Sequence, residues 1–268
     1  RGTVTKDVDV ARMFDKRPNA LLYADEAYDH ANVIAEQDFK NASGEDAHGL
    51  YAAKGVELNA ANAFSCPEAF TAASVKLTRT VREGINSFVL PFYAGASDLE
   101  AEAVATFKDV ADGSAVFTKA DHAEANVPFI TVGLQNASEN KVFTFSGNQK
   151  YFEATPASFD GYFKGVYAPL DANGLYGIDN KGLLHKGGEG ATINAFHAYY
   201  QVVDGESVPA KISFEGDAPT AINGVAANEP AADKAVYDLS GRRVASSLNG
   251  ASLAKGIYVV GGKKVAVK

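Results

Sequence analysis

The sequence predicts an all-β protein: a β-sandwich, of jelly-roll or Ig-like type, with one short helical insertion and a small C-terminal β-module. Three observations carry this. Short runs alternate between apolar and polar residues, turn dipeptides separate them, and composition and charge change abruptly near residue 215. With 268 residues and 46% hydrophobic side chains, the chain has material for a sizeable core. No apolar run approaches the ~18 residues of a membrane helix, so no transmembrane segment is expected.

Residues 1–74 read as a β-rich N-terminal segment belonging to the body, and residues 75–214 as the sandwich itself. In Val75-Lys76-Leu77-Thr78-Arg79-Thr80-Val81, Val75, Leu77 and Val81 share one face and Lys76, Thr78 and Thr80 the other. Glu83-Gly84 turns the chain into Ile85–Leu90, which Pro91 ends because proline cannot donate to a ladder. Further strands are expected at Ala115–Thr118, Phe129–Leu134, Lys141–Phe145, Phe159–Val166, Ile193–Val203 and Lys211–Phe214. Asn173-Gly174 reads as a two-residue hairpin loop between residues 168–170 and 175–178, and Asn180-Lys181-Gly182 as a second turn.

The helical insertion is placed at residues 97–108. Ser97 and Glu100 have the spacing of a capping box, and Leu99, Ala103, Phe107 and Val110 fall on one helical stripe. Residues 215–232, rich in Ala, Pro and Asn, read as a linker. Beyond it, residues 233–268 carry seven basic against two acidic side chains, a local +5 in a chain of net charge −8. The acidic balance of the whole argues against nucleic-acid binding, since phosphates meet net repulsion.

The chemistry-bearing residues are sparse. Five histidines are scattered without metal-ligand spacing, and the single cysteine, Cys66, has no histidine beside it in sequence and reads as a small buried residue. Neither a nucleophile elbow nor a phosphate-binding loop occurs, so no catalytic residue, metal or cofactor is assigned and the chain is read as non-enzymatic. Alternation puts His197 beside Tyr199 on one strand face. That face is either a candidate ligand surface able to contact a sugar or a half-exposed sheet surface.

Two segments resemble known modules. Leu77–Val81 with Gly84–Phe92, then Ala125-Asn126-Val127-Pro128-Phe129-Ile130 and Ile193–Tyr200, resembles a β-module of secreted and surface proteins of Bacteroidetes-type bacteria; Ile85 stands where that module commonly carries Trp. The tail is the sharper match. Tyr237-Asp238 with Gly241-Arg242, then Gly256-Ile257-Tyr258-Val259, then Lys263 and Val265 within the last run, resembles a C-terminal type IX (Por) sorting segment. Such segments direct export across the outer membrane and are often removed. The resemblance implies a location outside the cell or on its surface.

The implied function is adhesion or ligand binding, with a host or bacterial surface protein or glycan as partner. Two alternatives stand beside it. One is a structural subunit of a surface fibre or pilus, its partners copies of itself joined by strand addition. The other is a carbohydrate-binding module. Gly261-Gly262 reads as a hairpin loop, and a terminal strand after it suits main-chain pairing with another subunit.

Overall fold

The computed structural model describes residues 10–145, 149–202, 207–216, 236–237, 243–245, 255–260 and 263–267. Strands take 52% and helices 3%, so the class is all-β. The chain divides into two compact units, residues 1–216 and residues 217–268.

The body is organised around a central five-stranded sheet in the order Lys211–Phe214, Ser114–Ala120, Ala103–Ala111, Phe129–Leu134, Gly84–Phe88. Its middle is apolar on both faces. Val104, Phe88, Phe129 and Leu134 enter one core, while Ala105, Ala115, Phe117 and Ile130 enter another. Neighbours such as Val104 and Ala105, or Phe129 and Ile130, point oppositely because side chains alternate along a strand. All eight are fully buried, as a sheet covered on both sides requires.

The larger core lies between the central sheet and two others. One has the order Ser138–Phe145, Val75–Val81, Val56–Asn59; the second runs Leu22–Ala24, Val33–Lys40, Asp46–Ala52, Phe70–Ala72, Lys150–Phe152. Its filling is aromatic, with Phe64, Phe70, Phe92, Phe145, Phe152 and Phe196 in ring contact. The smaller core lies against a four-stranded sheet, Phe163–Val166, His197–Tyr200, Tyr176–Ile178, Leu184–Lys186, through Phe163, Ala198 and Tyr200. The result is a sandwich-like fold in which one sheet serves two cores.

The helix expected at residues 97–108 does not form. Ser97–Leu99 makes a single 3-10 turn, Ala96 caps it without a side-chain bond, and Glu100 ends it in the left-handed region. From Ala103 to Ala111 the chain is a strand of the central sheet. The presumed stripe comes apart: Leu99 packs in the larger core, Phe107 against the smaller one, and Val110 is exposed. Glu100 pairs with Lys141 at 2.6 Å instead of capping. Strand pairing on both sides overrides a weak helical pattern here, helped by β-branched Val104, Thr106 and Val110. Asp112-Gly113, both at positive φ, closes the hairpin to Ser114–Ala120; it is the Asp-Gly signal for a two-residue loop.

The hairpin expected at Asn173-Gly174 is also replaced. Leu170–Asp171 pairs with Thr192–Ile193, and Tyr176–Ile178 pairs with Leu184–Lys186. Of the two turn residues only Gly174 has positive φ. The turn itself closes, with Leu175 N–H donating to the Ala172 carbonyl at 3.0 Å, but the other partners come from farther along: Ala172 N–H donates to the Ala191 carbonyl and Gly174 N–H to the Gly187 carbonyl. The turn at residues 180–182 does join its two strands, with Gly182 N–H donating to the Asp179 carbonyl at 3.0 Å.

Gly84 shows why a glycine stands at the entry to the central sheet. Its φ is +94°, and a Cβ there would lie 2.6 Å from the Asn180 carbonyl oxygen. Gly84→Ala is expected to lower stability by about 1–3 kcal/mol, measured by urea denaturation. Gly113→Ala, at φ +70° but facing open space, should cost less. Equal losses would show that the approach of Asn180 is irrelevant.

In the C-terminal unit the sheet order is Arg243–Ala245, Val236–Tyr237, Gly256–Val260, Lys263–Val267. Val260 stands opposite Lys263, and Gly261-Gly262, expected as the loop between these strands, fall outside the described residues. Gly256, Ile257, Tyr258 and Val259 lie on the third strand, and Lys263 and Val265 on the fourth. Tyr237 lies on a short strand, while Asp238, Gly241 and Arg242 fall outside the described residues.

Candidate functional site

The strand Val75–Val81 alternates strictly between buried and more open positions, and its parity puts Arg79 on the inner face with Val75, Leu77 and Val81. Arginine is seldom fully buried unless paired with an acid. Arg79 is 3% exposed, and among the described residues no acid pairs with it: its charge meets backbone carbonyls and a ring. Nη1 donates to the Ser87 carbonyl at 3.0 Å and to the Phe196 carbonyl at 2.9 Å, and the guanidinium carbon lies 3.8 Å from the centre of the Phe88 ring. Nε makes a longer bond, 3.4 Å, to the Thr80 carbonyl. Burial pushes the Arg79 pKa down to about 9, which leaves it charged at neutral pH.

The remaining nitrogen, Nη2, donates to no group of the described residues. Among these residues no buried side-chain nitrogen or oxygen is left without a partner, so Nη2 must reach accessible space. Arg79 itself borders a cleft of about 420 Å³, with Arg82, Ile85, Asn86, Asp179 and His197 among the other lining residues.

Three neighbours shape it. Phe196, at φ +61°, holds a left-handed backbone conformation that is unusual for a bulky residue. Its carbonyl accepts from both Arg79 and Val89 N–H, and its N–H donates to the Val166 carbonyl, so three bonds hold the conformation. The same kink breaks the expected strand 193–203 into Thr192–Ile193 and His197–Tyr200. Asn86 brackets the rim by donating to the Arg82 carbonyl and accepting from Arg82 N–H. Asp179 is the one acid of the lining, and its oxygens accept from Lys181 N–H, Leu183 N–H and His185.

His197 is half-buried, and its Nδ1 lies 3.0 Å from the Ala195 carbonyl. A carbonyl only accepts, so the proton sits on Nδ1. Burial, and next the charge of Arg79, push its pKa down to about 3. The imidazole is therefore neutral at neutral pH. Neither side chain is tuned to exchange a proton near pH 7; the cleft offers fixed charge and fixed dipoles.

Tyr199 keeps the parity expected of it but opens elsewhere. It borders a second cavity, about 430 Å³, with Phe64, Thr155, Lys164 and Tyr167. The strand face thus serves two separate cavities, and His197 and Tyr199 do not converge on one. Cys66 is buried, with its sulfur 3.8 Å from the Tyr23 hydroxyl; burial pushes the thiol up to about 11, where it is not a ready nucleophile. No three His, Cys, Asp or Glu side chains among the described residues are grouped to hold a metal ion.

No known family model, curated protein or solved structure matches this chain.

Proposed function

We propose that this chain is a non-enzymatic, exported cell-surface protein whose β-body binds a ligand or an adhesion partner. The observation that carries the reading is the Arg79 cleft. A buried guanidinium without a counter-charge costs folding free energy, and a binding site is where such a cost is met by a ligand. The locked, neutral His197 beside it favours binding over proton-transfer chemistry. The exported, surface location rests on the resemblance of the tail to sorting segments.

The test is direct. Labelled full-length protein should bind saturably to host or bacterial surface preparations, and unlabelled protein should displace it. Binding no greater than that of an inert acidic protein of equal size would end the reading.

The fibre reading has one observation of its own. Among the described residues of the C-terminal sheet, Lys263–Val267 pairs on one side only, and Ile257 on the neighbouring strand is 51% exposed. An edge of this kind accepts another strand. A fibre subunit should form higher assemblies in light scattering, and deletion of residues 256–268 should abolish them.

A further inference from the structure

We propose that the Arg79 cleft recognises a carboxylate group on a small monoanionic ligand, a specificity that rests on the ligand-binding reading above. The argument begins with hydrogen-bond capacity. A guanidinium has five N–H donors, and in Arg79 those of Nε and Nη1 are directed at protein carbonyls. The two on Nη2 remain, in a residue that lines the cleft. The two N–H groups of Nη2 diverge, so each can donate to a separate anionic oxygen, and charge-assisted bonds of this kind are roughly twice as strong as neutral ones.

The surroundings fix the charge of the ligand. The formal charges on the lining are Arg79, Arg82 and Asp179, with His197 neutral, so the cleft carries +1. Arg82 stands exposed at the rim, its main chain pinned by Asn86. Asp179 works against any anion, but its charge is engaged by two backbone N–H groups and His185. A monoanion neutralises this lining, whereas a dianion overshoots and meets Asp179. The Phe88 ring under the guanidinium and the three bonds holding Phe196 keep the cation in place before a ligand arrives, which lowers the ordering cost of binding. About 420 Å³ accommodates a single sugar or carboxylic-acid ring.

A positive cleft in a chain of net charge −8 is a local departure that invites a direct test. Full-length protein is titrated with sodium acetate, sodium glucuronate, sodium sulfate and glucose, at ionic strength held constant with sodium chloride. Thermal midpoint and the ¹⁵N side-chain signals of arginine are read together. Acetate and glucuronate are expected to raise the midpoint saturably and to move one arginine side-chain signal, while glucose does neither.

Glucuronate binding about tenfold tighter than acetate would show that an acidic sugar is read as a whole; equal affinities would show that the carboxylate alone is read. Arg79→Met should abolish the response. Should that variant fail to fold, Arg82→Gln at the exposed rim should weaken both carboxylates about threefold or more. Absence of saturable binding by either carboxylate, sulfate binding tighter than both, or an unchanged response in Arg79→Met would overturn the proposal. If the protein still binds cell surfaces in that case, only the carboxylate assignment falls; if it does not, the ligand-binding reading falls too.

Discussion

Phe152→Ala is expected to lower the unfolding free energy by about 3–5 kcal/mol, the loss typical of removing a large ring from a packed core. Phe152 is fully buried, its ring 4.6 Å from Phe70, 4.9 Å from Phe92 and 6.4 Å from Phe64. It sits on Lys150–Phe152, an edge strand that among the described residues pairs only with Phe70–Ala72. Little backbone pairing is available to make up for the ring, so the side chain is what fastens this strand. Tyr151, the next residue, points outward at 59% exposure, and Tyr151→Ala should change stability by no more than about 0.5 kcal/mol. Urea denaturation of the two variants compares inner and outer faces of one strand. Similar losses in both would contradict the packing described for this edge.

The second large effect is a dependence on pH carried by His197. Its folded pKa is down to about 3, against an ordinary value of about 6.5 in the unfolded chain. Between these values the unfolded state binds the proton and the folded state does not. Stability from this group is therefore complete above pH 6.5 and is lost as pH falls toward 3, by up to about 1.4 kcal/mol per pH unit. With partial solvent exposure taken into account, the loss by pH 4.5 is about 1–3 kcal/mol.

His197→Gln, which is neutral throughout, should be close to wild type in stability at pH 5 and flatter between pH 7 and pH 5. That window lies above the titration of Glu100, Asp179 and Glu215, all held below the usual carboxylate range. His48, raised by Asp38 and Glu36, acts with the opposite sign and is common to both proteins. Denaturant midpoints at several pH values decide it. Parallel curves for wild type and variant would mean that His197 titrates normally.

The strands of the body were legible because their signal is local. Phe129–Leu134 and Lys211–Phe214 lie where alternation and breaker residues put them. Residues 103–111 misled because an alanine-rich run satisfies helical and extended periods alike, and only pairing on both sides decides between them. The Asp112-Gly113 loop was the local cue for the extended reading. Of the candidate ligand face, His197 borders the Arg79 cleft and Tyr199 a different cavity, a separation produced by tertiary packing.

Arg79 was visible in another way. The same alternation that puts Val75, Leu77 and Val81 inward puts Arg79 with them, and a charge at an inward parity is the informative exception in such a strand. Its partners were not legible. Ser87 is eight residues away, but Phe196 is 117 residues away and offers its carbonyl through a left-handed kink that no local pattern announces.

The last strand of the body has a mechanical consequence. Lys211–Phe214 runs parallel to Ser114–Ala120 at the edge of the central sheet, from Ser114 opposite Lys211 to Phe117 opposite Phe214. Just beyond it Glu215 takes Lys108 and the Thr118 hydroxyl through its carboxylate, and its N–H donates to the Phe117 carbonyl. Any tension arriving from the C-terminal side enters the body through this strand. A pull along the strand's own axis loads its ladder bonds together in shear instead of peeling them one by one, and the Glu215 clasp must yield first.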